Sequence, residues 1–205
     1  MKKKFITVIT LQKPETLKKN IYEAVDNEKL RYDTATAFPV IPLIAGYAKT
    51  GDDIEVIAIC HEYENSVANL ETFKKELSDL AEGHAFTYSL DVLSVPYDNQ
   101  VSTQLKTFYR LAEKINDGDD INACLTYGTK PLSIIELMTL NYAYRAKKDC
   151  SYGALVYGEL DHNTGNAKIY DVTRLFIVDE IVRRGGNSQN LLNLLDRMIN
   201  DEEGD

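Results

Sequence analysis

The sequence has no tryptophan, three cysteines, three histidines and five prolines in 205 residues. Each scarcity excludes something. Cys60, Cys124 and Cys150 form no C-x-x-C pair, and an odd number argues against a disulfide framework. A reduced, cytoplasmic protein is expected. Long apolar runs are also missing. The longest, Ala37 to Ala48, is interrupted by Pro39, Pro42 and Gly46, whereas a membrane helix needs about 20 mostly apolar residues. Lys2, Lys3 and Lys4 look like the start of a secretion signal, but the apolar stretch Phe5 to Leu11 is too short for its core, and no small-residue cleavage site follows. Basic residues are outnumbered, 23 Lys plus Arg against 32 Asp plus Glu, a net charge of −9. No long nucleic acid is expected as a partner, because backbone binding needs clustered cations. A small anion held by a local basic spot fits.

What is present is ordinary for a globular chain: 44% hydrophobic and 27% charged residues. The length suits one domain over residues 1–205, with 201–205 a frayed tail. Apolar β-branched runs alternate with helical patterns. Strands are expected at Phe5–Leu11, Ile54–Cys60, Phe86–Val95, Ile121–Thr126 and Gly153–Glu159. Helices are expected from near Pro39 to near Gly51, over Val67–Leu80 with a stop at Gly83, over Ser102–Ile115, and over Pro131–Arg145. Residues 12–36 read as a long loop with one helical turn at most. Asp161–Gly165 then makes a hairpin turn into a strand over Ala167–Val172. Helices over Arg174–Arg184 and Ser188–Asn200 close the chain. The fold class is α/β: a Rossmann-like, mostly parallel sheet flanked by helices, with a C-terminal β-hairpin and two closing helices.

Ligands of such sheets bind beyond the carboxyl ends of the strands, where strand order switches. Two strand ends are informative, Thr10-Leu11-Gln12-Lys13 and Thr126-Tyr127-Gly128-Thr129-Lys130-Pro131. Gly128 lets amides approach a ligand, the two threonines supply hydroxyls, and Pro131 suits the first position of the helix. Lys130 is the unusual choice. A cation at a helix N-terminus is disfavoured by about 0.3–1 kcal/mol. An anion shared by the lysine and the free amides removes that cost. A phosphate is the expected ligand group, against the plainer reading of a turn with a solvated lysine. The Walker A pattern is absent.

A strand followed by Leu125-Thr126-x-Gly128-Thr129-Lys130 and an apolar helix resembles the ligand motif of the CRISPR-associated Rossmann fold (CARF) family. The opening ITVITLQ, Thr36-Ala-Phe38-Pro39 before a helix, GDDIEVIAI and SYGALVYGELDHNTGNAKIYDVT resemble successive parts of that domain in the same order. One departure is Cys124, where the family often has Asp. The resemblance implies a stand-alone member of type III CRISPR systems. It implies a homodimer binding a cyclic oligoadenylate second messenger across its two-fold axis, with tetra-adenylate first and hexa-adenylate next. Thr126, Tyr127, Gly128, Thr129 and Lys130 would then meet ribose and phosphate; Thr10, Leu11 and Gln12 would line the pocket, and Thr36 and Phe38 would reach an adenine.

Effector members of the family carry a toxic domain, and its signatures are absent here. No Arg precedes His61, His84 or His162 at the spacing of HEPN ribonucleases, and no Lys follows an Asp or Glu by two residues as in restriction-type nucleases. A free-standing sensor acting through a separate effector protein is the first reading. A ring nuclease is the second: the protein aligns a ribose 2′-hydroxyl on the neighbouring phosphodiester without a metal, leaving a 2′,3′-cyclic phosphate. Lys130, Thr129 and Tyr127 are its candidate catalytic residues. A Rossmann-like protein for another phosphorylated metabolite is the third, although G-x-G-x-x-G is absent. No metal or cofactor is expected. His61 beside Cys60 makes a poor metal pair, since strand neighbours face opposite ways. Cys124 reads as buried packing. Ile134, Leu137, Met138 and Leu140 leave the helix at 131–145 little polar face, so it is either buried or packed on a second subunit.

Overall fold

The computed structural model describes residues 2–161, 164–184, 192–193 and 196–197. They fall into two compact units, Met1–Asp171 and Val172–Asp205. The first is a seven-stranded sheet with helices on both faces. Its strands are β1 (Lys3–Val8), β2 (Tyr22–Ala24), β3 (Asp53–His61), β4 (Thr87–Val95), β5 (Asp120–Cys124), β6 (Ser151–Leu160) and β7 (Ala167–Asp171). Its helices are α1 (Val40–Tyr47), α2 (Glu64–His84), α3 (Val101–Ala112) and α4 (Lys130–Ala146). The second unit holds α5 (Thr173–Arg184). The helix expected over Ser188–Asn200 and the frayed tail fall mostly outside the described residues, as does His162; residues 192–193 and 196–197 are helical.

The sheet order is β2-β7-β6-β5-β1-β3-β4. β1 pairs in parallel with β3 on one side and β5 on the other, so strand order reverses between β1 and β5. β3–β4 and β5–β6 are parallel, while β7 runs antiparallel to β6. The fold is therefore Rossmann-like α/β with a late hairpin, as the alternation of patterns predicts. One face buries Phe5, Ile54, Val56 and Ala58 under Val40, Ile41 and Ile44 of α1 and Phe73, Leu77 and Leu80 of α2. Ile6, Val8, Ile57, Ile59 and Ala123 are fully buried on the other face. Lys4 shares that second face and reaches the Lys114 carbonyl just beyond α3.

Several expectations shift. The opening strand ends at Val8, not Leu11, because side chains of α2 take the carbonyls of Ile9, Thr10 and Leu11 out of the ladder. The segment 12–36 is no featureless loop. It carries two 3-10 turns and β2, which pairs in parallel with β7 as the sheet's outer strand. Three residues are too short for a period to show, and only the distant β7 makes them a strand. The α1 helix stops at Tyr47, four residues short of Gly51. The α2 helix runs through Gly83 and ends at His84, because Ala85 takes the left-handed cap with φ 55°. The strand at 121–126 ends at Cys124, and α3 ends at Ala112 rather than Ile115. Asp98 steadies the start of α3: it accepts from the Gln100 amide at 2.8 Å and the Thr103 hydroxyl at 3.0 Å.

Candidate functional site

Strand order reverses between β1 and β5, and the space between the two predicted loops at the carboxyl ends of these strands is the candidate crevice. Gly128 lies against Val8 at the end of β1: a Cβ on Gly128 would stand 2.7 Å from Val8 Cγ1, and its φ is +97°. Both facts demand glycine. Thr129 is the N-cap of α4, Lys130 is the first helical residue and Pro131 the second. Thr129 is a favoured cap type, yet its hydroxyl makes no capping bond and is buried without a partner among the described residues. The amides of Gly128, Thr129 and Lys130 likewise meet no acceptor among the described residues. Lys130 is exposed and forms no ion pair among the described residues. An exposed ammonium beside three open amides at the positive end of a 17-residue helix is suited to a phosphate or other oxyanion.

The β1 side of the crevice is held from α2. Asn69 Nδ2 donates to the Thr10 carbonyl at 3.1 Å and the Gln12 carbonyl at 2.8 Å, and Asn65 Nδ2 to the Leu11 carbonyl at 3.2 Å. Thr10 is buried and accepts from the Gln12 amide at 3.2 Å, which curls the loop back on itself. Leu11 is half-buried; Gln12 and Lys13 are exposed. Sequence reading passed over Asn65 and Asn69. Their i, i+4 spacing, which sets two amides on one helix face, was the available signal.

The remaining predicted residues turn inward. The Thr126 hydroxyl accepts from the Gly158 amide at 2.8 Å and lies 3.2 Å from Cys124 Sγ, joining the end of β5 to β6. The Tyr127 hydroxyl donates to the Ala37 carbonyl at 2.7 Å. Burial pushes its pKa far up, with the Tyr22 phenol adding to the shift, so it holds its proton. Tyr22 itself is pushed up to about 12, chiefly by burial. Phe38 is 1% exposed and packs edge-on against Phe73 and Tyr127, with centroids 5.2 and 6.2 Å apart. Thr36 is buried against the Glu76 carboxylate, which Lys19 also pairs at 3.0 Å. Thr36, Phe38 and the Tyr127 ring thus form the wall behind the loops. Cys124 is buried and unpaired, its thiol pushed up to about 12 by burial, so it is an inert packing group.

Two surface concavities lie elsewhere. One of about 450 Å³ follows the hairpin along Glu159, Asp161 and Lys168; one of about 380 Å³ lies between Lys2 and Asp53 at the opposite end of the strands. Neither gathers the chemistry of the crevice. No helix among the described residues is long and apolar enough to cross a membrane. No protein-family model matches the chain, and no curated protein matches it either.

Proposed function

We propose that this chain binds a cyclic oligoadenylate, tetra-adenylate first and hexa-adenylate next, in the crevice at the ends of β1 and β5, between two copies of itself. The reading rests on the CARF-like motif order in the sequence. The observation that carries it is the uncapped start of α4, where Lys130 and the amides of Gly128 to Lys130 stand open at the switch in strand order. A ring of phosphates needs donors on more than one side. A two-fold pair of such crevices supplies them in matching positions.

The second copy has a surface to occupy. Ile134 and Met138, 59% and 41% exposed, lie one turn apart on the helix that begins at Lys130. Val101, Leu105 and Tyr109 make a parallel exposed stripe on α3, which packs beside α4. Neither loop presents a side chain ready to act as a base: Tyr127 keeps its proton, and no histidine lies in residues 9–13 or 126–130. Ring opening would have to come from alignment by Lys130 and Thr129 alone. Binding is therefore favoured over cleavage, with a separate effector protein as the recipient of the signal.

One incubation without metal tests this. Cyclic tri-, tetra- and hexa-adenylate are each mixed with the protein and followed by calorimetry and mass spectrometry. Tight binding of an intact tetra- or hexa-adenylate ring is the expected outcome. Linear products ending in a cyclic phosphate would replace it by the nuclease reading. No binding of any ring would leave an α/β protein for another phosphorylated ligand.

A further inference from the structure

A second group of residues, His61, Tyr63 and Tyr97, lies at the carboxyl end of β3 and β4. His61 ends β3, is 1% exposed, and its ring lies against the Pro96 backbone carbonyl without a hydrogen bond of full geometry. Tyr97, just past β4, covers it edge-on with centroids 5.4 Å apart at 75°. Tyr63, the N-cap of α2, lies on Tyr97 with centroids 4.9 Å apart and planes at 33°. Both tyrosines are well exposed, at 39% and 54%. Two exposed phenol rings stacked over a buried imidazole form an aromatic patch at the end of β3. A buried imidazole with no hydrogen bond of full geometry is costly.

The position relative to Gly128 follows from register. Val8 pairs with Ile59, and His61 lies two residues beyond Ile59 on the same face of the sheet. Gly128 rests on Val8 at that same face. His61 therefore stands one strand spacing, about 5 Å, across from Val8 and two residues further along, at the same end of the sheet.

We propose that Tyr63, Tyr97 and His61 form a nucleobase subsite serving the phosphate crevice at Gly128–Lys130. The base stacks on the tyrosine pair, and movement of Tyr97 brings its edge to the His61 ring. With its N–H on the side of the Pro96 carbonyl, a neutral imidazole keeps one nitrogen as an acceptor, which complements the amino group of adenine. Assigning the base as adenine rests on the function proposed above; the stacking itself does not. Stacking on aromatic side chains accepts any base, and the His61 edge supplies the selectivity.

The test uses the full chain with two small probes, AMP and ribose 5-phosphate, followed by NMR. The three histidines make the imidazole signals easy to assign. AMP is expected to move the His61 imidazole and the Gly128 amide together. Ribose 5-phosphate is expected to move the Gly128 amide alone. Tyr97→Ala and Tyr63→Ala, at exposed positions, are each expected to weaken AMP by about tenfold, while Tyr97→Phe keeps it. Gly128 responding to AMP with His61 silent, or Tyr97→Ala without effect, overturns the subsite while leaving the phosphate crevice standing. His61 responding with Gly128 silent supports the subsite and removes the phosphate crevice instead. Silence of both overturns the subsite.

Discussion

Gly128 and Val8 touch so closely that no side chain fits between them: a Cβ on Gly128 would reach 2.7 Å from Val8 Cγ1. Through this contact the loop after β5 rests on the end of β1, and the start of α4 is fixed in turn. Gly128→Ala therefore meets both a clash and a positive φ. It is expected to lower stability by about 1–3 kcal/mol, read by urea unfolding. Val8→Ala in the same chain relieves the 2.7 Å clash but leaves a 3.2 Å approach to the Cβ of residue 8 and the positive φ. The double variant should recover part of the loss, and strict additivity would show that the contact does not govern the loop.

Lys130 carries the binding prediction. Lys130→Ala should weaken the cyclic oligoadenylate at least tenfold, about 1.4 kcal/mol, the low end for a charged hydrogen bond. Lys130→Arg should retain most of the affinity. Without ligand, Lys130→Ala should leave stability unchanged or raise it by up to about 1 kcal/mol, since an exposed cation at a helix N-terminus is removed. Calorimetry with tetra-adenylate decides it, and equal affinity of wild type and Lys130→Ala would remove the lysine from the site.

Glu136 gives a pH signature. It lies on the buried face of α4, fully buried, with both carboxylate oxygens unpartnered among the described residues. Burial raises its pKa well above the ordinary carboxylate value. In acid, folded and unfolded chains both hold the proton and the group costs little. As pH rises past the ordinary carboxylate range, the unfolded chain releases the proton while the folded chain keeps it. Stability must therefore fall as pH climbs toward the raised value. Glu136→Gln should flatten that dependence over pH 5 to 8, and Glu136→Met should stabilise the protein at neutral pH. Parallel profiles for wild type and Glu136→Gln in urea unfolding would show that another group is responsible.

The sheet was legible because its strands are β-branched runs bounded by turn residues, and because each helix buries its apolar face against them. The loop after β5 was legible for a related reason: Gly128 and Lys130 each break a local rule. The strand β2 was not, since only β7 makes Tyr22–Ala24 a strand. The inward turn of Thr36, Phe38 and Tyr127 was hidden too. It depends on Glu76 of α2 for Thr36 and on the Ala37 carbonyl for Tyr127, partners 40 and 90 residues away along the chain. His61 appeared inert because its neighbour Tyr97 is brought to it by β4, 36 residues later by number.

Lys4 tests how the opposite end of the sheet is held. It is 1% exposed, with Nζ 3.1 Å from Glu55 and 3.2 Å from Asp119. Lys4→Met keeps the length of the side chain but leaves the buried Asp119 carboxylate without its cation. The expected loss is about 3–5 kcal/mol. Adding Asp119→Asn should return part of it, because the stranded charge is then gone. Unfolding midpoints of the three variants measure this, and a Lys4→Met loss under 1 kcal/mol would mean that the triad contributes no net stability.

The last prediction concerns the second copy. Ile134 and Met138 are exposed on α4 within two turns of Lys130. A two-fold crevice would place them where the partner covers them. Ile134→Asp with Met138→Lys puts charges on that stripe without touching the core, since both side chains already face water in the single chain. Sedimentation velocity should show a dimer for the wild type and a monomer for the double variant. The monomer should bind a single AMP as before, because each crevice is built from one chain. It should lose most of its affinity for the ring, which needs two. If the double variant remains a dimer, the partner sits on another surface, and the α3 stripe of Val101, Leu105 and Tyr109 is the next to charge. If it becomes a monomer and still binds the ring as tightly, one chain suffices and the two-fold site falls.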